Sequence, residues 1–147
     1  MASSPVGNLR VSASARGVTA IHRGSGTGAG TGSMVVLCEQ QLKQYFEGRL
    51  QTFTVPLDLA GTPFQKRVWV ALRSVPFGTT LTYGELAKKI GKPRAVRAVA
   101  SAVARNPVGV IIPCHRVVPA SGPLPGKFAW GEDKKRWLLE HETREKR

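Results

Sequence analysis

Between Thr82 and Arg105 two short apolar-periodic runs are separated by Gly91-Lys92-Pro93, and no other stretch of the chain narrows the possible folds as far. In the first run Leu86, Ala87 and Ile90 make an apolar face, and Thr82 stands three residues before Glu85, the spacing of a capping box. Gly91 ends that run and Pro93 suits a first helical position, so a second helix is expected from about Arg94 to Arg105. Within it Ala95, Ala98, Val99, Ala102 and Val103 recur at helical spacing and are expected to face inward, while Arg94, Arg97 and Ser101 share another face. Two helices joined by a short Gly-containing turn, the second basic on its outer face, form a helix-turn-helix pattern. The alanines have a physical use, because small side chains let a helix backbone come close to a groove of DNA.

The charge agrees with that pattern. The 147 residues include 22 Lys+Arg and 9 Asp+Glu, a formal net charge of +13. Most of the excess falls after residue 60, and Lys88, Lys89, Lys92, Arg94, Arg97 and Arg105 occur with no acidic residue among them. A solvated surface is the plain reading of such charge. A polyanion partner is the functional one, nucleic acid first and an anionic membrane surface second. The length suits one domain, or one with a small appendage, and 41% apolar residues can build a core. No apolar run approaches 18 residues, and the start Met1-Ala2-Ser3-Ser4-Pro5 lacks a basic segment followed by an apolar one. A soluble, intracellular protein is therefore expected, without a disulfide framework, since Cys38 and Cys114 are too few for one.

Elsewhere, residues 5–22 alternate around turn residues and read as a hairpin. Gly24–Ser33 reads as a flexible loop, and no Gly-Lys-Ser/Thr follows that would make it a phosphate cradle. Val35, Cys38, Leu42, Tyr45 and Phe46 predict a helix, with Cys38 as a packing residue. Phe64, Val68, Trp69, Leu72 and Val75 predict another, stopped by Pro76 and Gly78. Val108–Ile112 is expected as a buried, strand-like or extended segment, and the last helix from about Asp133 to Glu142, with a frayed tail from Thr143.

A free cysteine directly after a buried apolar run, beside His115 and Arg116, suggests chemistry as well as packing. An ordinary thiol is only a few per cent thiolate at neutral pH, an imidazole can take its proton, and a carboxylate can steady the imidazolium. Glu142 or Glu140 is the nearest downstream carboxylate. One Cys and one His with no further ligand spacing do not support a metal site.

Pro113-Cys114-His115-Arg116-Val117 resembles the active-site motif of the O6-alkylguanine-DNA alkyltransferases, the methylated-DNA–protein-cysteine methyltransferases. Thr62-Pro63-Phe64-Gln65, Pro76-Phe77-Gly78, Thr82-Tyr83-Gly84-Glu85-Leu86-Ala87, Gly91-Lys92-Pro93-Arg94-Ala95-Val96-Arg97-Ala98-Val99, Asn106-Pro107 and Trp137-Leu138-Leu139-Glu140-His141-Glu142 are similar to family motifs and stand in family order.

The resemblance implies an α+β fold, with a small, shortened, β-rich N-terminal domain over 1–60 followed by an α-helical, helix-turn-helix (winged-helix-like) domain over 61–147. It implies transfer of the alkyl group from O6-alkylguanine, and from O4-alkylthymine, in double-stranded DNA onto Cys114, irreversibly, once per molecule, with no cofactor and no metal. His115 through a water and then Glu142 would complete a proton relay, with Asn106 supporting it. Tyr83 would help rotate the nucleotide and protonate the departing guanine, and Arg97 would fill the gap left in the base stack. Gln65, Lys92, Arg94, Ala95 and Arg105 would grip the backbone from the minor groove. Phe128, Ala129 and Trp130 fall in the loop similar to the guanine pocket, one residue longer than is usual, with Phe128 where a tyrosine is usual. The resemblance also implies a monomer with no membrane partner, cytoplasmic in a prokaryote and nuclear in a eukaryote. The rivals are a non-catalytic alkyltransferase-like protein that binds the lesion and recruits other factors, a plain helix-turn-helix regulator, and a cysteine hydrolase.

Overall fold

The structure, a computed structural model, describes residues 3–24, 32–121 and 124–145. Its contacts divide it into two compact units, Met1–Ala60 and Gly61–Arg147. Most of the Gly24–Ser33 stretch, and Gly122-Pro123 of the later loop, lie outside the described residues.

In the first unit β1 (Leu9–Ala13) pairs antiparallel with β2 (Val18–Arg23), Val11 opposite Ile21, with an irregularity at Ser12/Ala13. Alternation turns Leu9 and Val11 inward, the irregularity opposite Val18 lets Val18 and Ile21 both be buried on β2, and α1 (Ser33–Phe46) meets these strands with Val35, Cys38, Leu42 and Tyr45. α1 also buries the polar side chain of Gln41, and it is satisfied. Its Oε1 accepts from the Thr54 and Val55 N–H groups, and its Nε2 donates to Thr54 Oγ1 at 2.6 Å. Cys38 is fully buried, and burial pushes its thiol up to about 12, so it packs and does not react.

The second unit is built from helices whose starts are written locally. α2 (Pro63–Arg73) and α3 (Tyr83–Lys89) both begin in complete capping boxes, Thr62 with Gln65 and Thr82 with Glu85. In each, the Thr hydroxyl accepts from the N–H three residues on at 3.1 Å. Gly91 takes a left-handed φ of +77° where α3 ends, and Arg67 Nη2 donates to the Ile90 carbonyl there. α4 (Val96–Ala104) follows, joined to α2 by the Trp69 Nε1 hydrogen bond to the Ala102 carbonyl at 2.9 Å. Val68, Leu72, Leu86 and Val99 are fully buried among these helices, and each such side chain stabilises the unit by about 1.5–3 kcal/mol. The two-residue strands β3 (Leu81–Thr82) and β4 (Val117–Val118) pair in parallel, and α5 (Glu132–Glu145) closes the unit.

Three local expectations change. Pro93 is not the first residue of α4: Ala95 N–H donates to the Lys92 carbonyl, so Pro93 occupies the second position of a β-turn, which its fixed φ suits equally well. Ala98 is exposed: the buried stripe of α4 is narrower than expected and holds Val99, Ala102 and Val103. Residues 143–145 are helical and not frayed, with Thr143 Oγ1 donating to the Leu139 carbonyl. Among the described residues, no helix is long and apolar enough to cross a membrane.

Candidate functional site

Asn106 shapes the approach to Cys114. α4 ends two residues earlier, Pro107 prevents its continuation, and the Asn106 side chain brackets the next segment. Its Oδ1 accepts from Val108 N–H at 2.9 Å and its Nδ2 donates to the Ile112 carbonyl at 2.7 Å. Ile112 N–H returns to the Val108 carbonyl, and Val110 adopts φ +74°, a rare conformation for a β-branched residue. Residues 108–112 are therefore a buried tight loop, not the strand-like segment expected. A Cβ on Gly109 would stand 3.0 Å from the Trp130 ring, so a side chain there would press the indole aside by a few tenths of an ångström. The loop delivers Cys114, 8% exposed, into a short 3-10 turn, Cys114–Arg116.

That turn faces α5. His115 Nε2 donates to Glu142 Oε2 at 2.6 Å, and both residues are buried. Glu142 Oε1 accepts from Arg116 Nε at 2.8 Å and from Gly78 N–H at 3.3 Å, and Oε2 also accepts from Arg116 Nη2 at 3.0 Å. Burial alone raises the Glu142 carboxyl. The His115 ring and the Arg116 guanidinium more than reverse this and hold it well below the usual carboxylate range. His115 Nδ1, also buried, has no hydrogen-bond partner among the described residues. Of the two carboxylates left open by the sequence, Glu142 joins the histidine, while Glu140 is exposed.

Burial raises the Cys114 thiol, partly offset by a hydrogen bond from the Asn106 side chain and the positive charge of Lys135. Burial likewise lowers His115, partly offset by Glu142. The resting pair is thus a neutral thiol beside a neutral imidazole above an ionised carboxylate. Tyr83 is half-buried; burial raises its phenol, and the proximity of Cys114 raises it further, so it remains protonated and able to donate.

Lys135 was not anticipated. It is fully buried, and its Nζ donates to the Val117 carbonyl at 2.6 Å and the Lys127 carbonyl at 3.1 Å. It therefore ties the loop before α5 to the site and sets a cation near Cys114. The available signal was register: Lys135, Leu138 and Glu142 share the buried stripe of α5.

Of the loop residues, Phe128 and Trp130 are half-buried and meet edge to face at 5.7 Å, and Ala129 is exposed. On the helix-turn-helix, Lys92, Arg94, Arg97 and Arg105 are exposed and Ala95 is half-buried at the start of α4. Arg97, Ser101 and Arg105 follow at four-residue spacing with Ala98 and Ala104 beside them, a basic, small-residue face. Gln65 also serves the α2 cap, where its Oε1 accepts from Thr62 N–H at 3.0 Å. Among the described residues, no cluster of three or more His, Cys, Asp or Glu could hold a metal ion.

This arrangement can be compared with known proteins. Residues 63–144 match the DNA-binding domain of 6-O-methylguanine DNA methyltransferase, and residues 1–59 match its ribonuclease-like domain. The methylated-DNA–protein-cysteine methyltransferase of Methanosarcina acetivorans is 53% identical over 103 residues, 70% of this chain and 65% of its own length. That of Mycobacterium bovis is 54% identical over 102 residues, 69% of this chain and 61% of its own. The chain thus spans somewhat under two thirds of these curated relatives. The crystal structure of Mycobacterium tuberculosis O6-methylguanine methyltransferase superposes with a TM-score of 0.87 at 41% identity, covering 97% of this chain and 90% of that one. A complex of the Mycobacterium tuberculosis protein with DNA gives 0.86 at 42% identity over the same shares. Both units are matched, in order, by the two domains of one family, and the Cys-His-Glu arrangement lies inside the second match: the chain belongs to the 6-O-methylguanine DNA methyltransferase family.

Proposed function

We propose that this chain is a DNA repair protein that moves the alkyl group of O6-alkylguanine, in duplex DNA, onto Cys114, once per molecule. The observation that carries this reading is the buried Cys114-His115-Glu142 arrangement, with a 2.6 Å bond joining its last two members. His115 takes the thiol proton, through a water, while Glu142 steadies the ring. The thiolate attacks the alkyl carbon: an S–C bond forms, the C–O6 bond breaks, and its electron pair passes to the guanine. Tyr83 protonates the departing guanine and is reprotonated by the proton that left the thiol. The thioether has no route back, so the reaction is stoichiometric and needs no cofactor.

Asn106 and Lys135 shape the pocket and favour the thiolate as it forms. Phe128, Ala129 and Trp130 line the side that receives the base. Arg97 fills the space the extruded base leaves, which offsets part of the few kcal/mol of unstacking. Lys92, Arg94, Ala95 and Arg105, with Gln65 near the cap of α2, contact the backbone in the minor groove. Residues 1–60 act as the family's shortened N-terminal domain and 61–147 as its DNA-binding and catalytic domain. The protein works as a monomer within the cell, where its substrate is.

The test is intact mass after incubation with an oligonucleotide carrying one O6-methylguanine. A gain of one CH2, absent in Cys114→Ala, is expected. An unchanged mass with retained binding would overturn transfer in favour of a lesion-binding protein.

A further inference from the structure

We propose that Arg116 is the positioning residue of this relay: its guanidinium fork fixes which oxygen of Glu142 faces His115, and so which ring nitrogen of His115 acts as the base. The proposal rests on the transfer reaction above and gives a role to a side chain that the sequence marks only as a neighbour of Cys114.

Arg116 is 6% exposed, and each of its three guanidinium nitrogens is engaged. Nε and Nη2 meet Oε1 and Oε2 of Glu142 at 2.8 and 3.0 Å, a two-bond fork that sets the plane of the carboxylate. Nη1 donates to the Val75 carbonyl at 2.7 Å, and the Phe77 ring lies 5.7 Å from Cζ. One side chain therefore joins the segment after α2, the 3-10 turn and α5. Gly78 N–H also occupies Oε1, which leaves Oε2 to receive His115 Nε2–H.

An arginine cannot lose its proton in a protein, so the carboxylate beneath it stays ionised and stays an acceptor. His115 must then keep hydrogen on Nε2. The lone pair of the neutral ring falls on Nδ1, the buried nitrogen with no partner among the described residues. The groups that act on this pair are Arg116 from the turn and Lys135 from α5. The 75–78 segment brings no titratable side chain, and Arg136 and Glu140 line the outer side of a cavity of about 240 Å³ that Glu142 also borders. A lysine at 116 could supply the charge but not the fork.

The experiment compares the full chain with Arg116→Met and Arg116→Lys. Single-turnover transfer from an O6-methylguanine oligonucleotide is followed from pH 5 to 9, with melting curves to establish folding. The 15N shifts of His115 are recorded without DNA. In the wild type His115 is expected as the neutral Nε2–H tautomer. In Arg116→Met, Glu142 takes up a proton at accessible pH and donates to His115. Transfer should fall as pH drops through a range where the wild type is flat, to about 100-fold slower. Arg116→Lys should keep the wild-type pH profile and lose about tenfold from misplacement. A folded Met variant with the wild-type pH profile overturns the proposal, as does a wild-type Nδ1–H tautomer. If the Met variant fails to fold, the wild-type tautomer and the Lys profile decide. A wild type that transfers nothing defeats the transfer reading, and the tautomer measurement, which needs no substrate, still judges Arg116.

Discussion

Replacing Glu142 by glutamine changes one oxygen to an amide and removes one charge, and the structure sets the size of the result. The carboxylate accepts hydrogen bonds from His115 Nε2, from Arg116 Nε and Nη2, and from Gly78 N–H. An amide offers one oxygen, so whichever way it turns its NH2 meets donors. Arg116, 6% exposed, is left as a buried cation without a counter-charge. Breaking a buried pair in this way costs about 3–5 kcal/mol, and the neutral amide regains about 1 by being cheaper to bury. A loss of about 3 kcal/mol at pH 7 corresponds to a fall in Tm of roughly 10 °C for a chain of this size. The pH dependence carries the sharper content. Because folding holds the Glu142 carboxyl below its unfolded value, its contribution is complete above the unfolded pKa of about 4.3 and is lost as pH falls toward the folded value. The gap in Tm between wild type and Glu142→Gln should therefore be widest near pH 7 and narrow steadily below about pH 4.3. Calorimetry of both proteins from pH 7 to 3 measures it. A gap that is small at pH 7, or constant across that range, would refute the assignment of Glu142 as a buried, doubly held carboxylate. Transfer by the variant should fall about 100-fold or more, as for loss of a general-base partner.

Other consequences can be measured as readily. Lys135→Met removes the cation near Cys114, so the thiol should ionise at higher pH. Its reaction with iodoacetamide at fixed pH should slow about tenfold for each pH unit by which that ionisation moves upward. Equal pH profiles for the two proteins would remove Lys135 from the thiol's surroundings. Arg97→Ala should slow repair of duplex DNA more than reaction with free O6-alkylguanine, and equal slowing of both would end its role in the stack. Arg94→Gln should lower the slope of log affinity against log salt by about 0.9, measured by titration of undamaged duplex, and an unchanged slope would take Arg94 off the backbone.

Much of this was legible in the sequence because it is local. Thr82 and Glu85 announced the cap of α3 three residues apart, the stripe Val35, Cys38, Leu42 and Tyr45 announced α1, and the sequence already narrowed the carboxylate that meets His115 to Glu140 or Glu142. The unread features depend on long-range closure. Residues 108–112 have the composition of a strand, but Asn106 and the Ile112 carbonyl fold them back on themselves and force Val110 into a left-handed conformation. Lys135 lies in the charged run Asp133-Lys134-Lys135-Arg136, where nothing distinguishes it from a surface lysine until two carbonyls from elsewhere in the chain converge on it. Pro93 suits both a first helical turn and a β-turn, and only the Ala95–Lys92 hydrogen bond chooses between them.

The low exposure of Cys114 has one more consequence. A thiol kept protonated and 8% exposed is a poor target for peroxides, soft metal ions and dissolved alkylating agents, all of which prefer an accessible thiolate. In an enzyme that turns over, such side reactions only tax the rate. In a protein whose cysteine reacts once, each stray collision that succeeds deletes a molecule from the reserve. Under the single transfer proposed above, the burial of Cys114 therefore doubles as preservation: a folded chain that has met no lesion keeps its one equivalent of thiol in reserve.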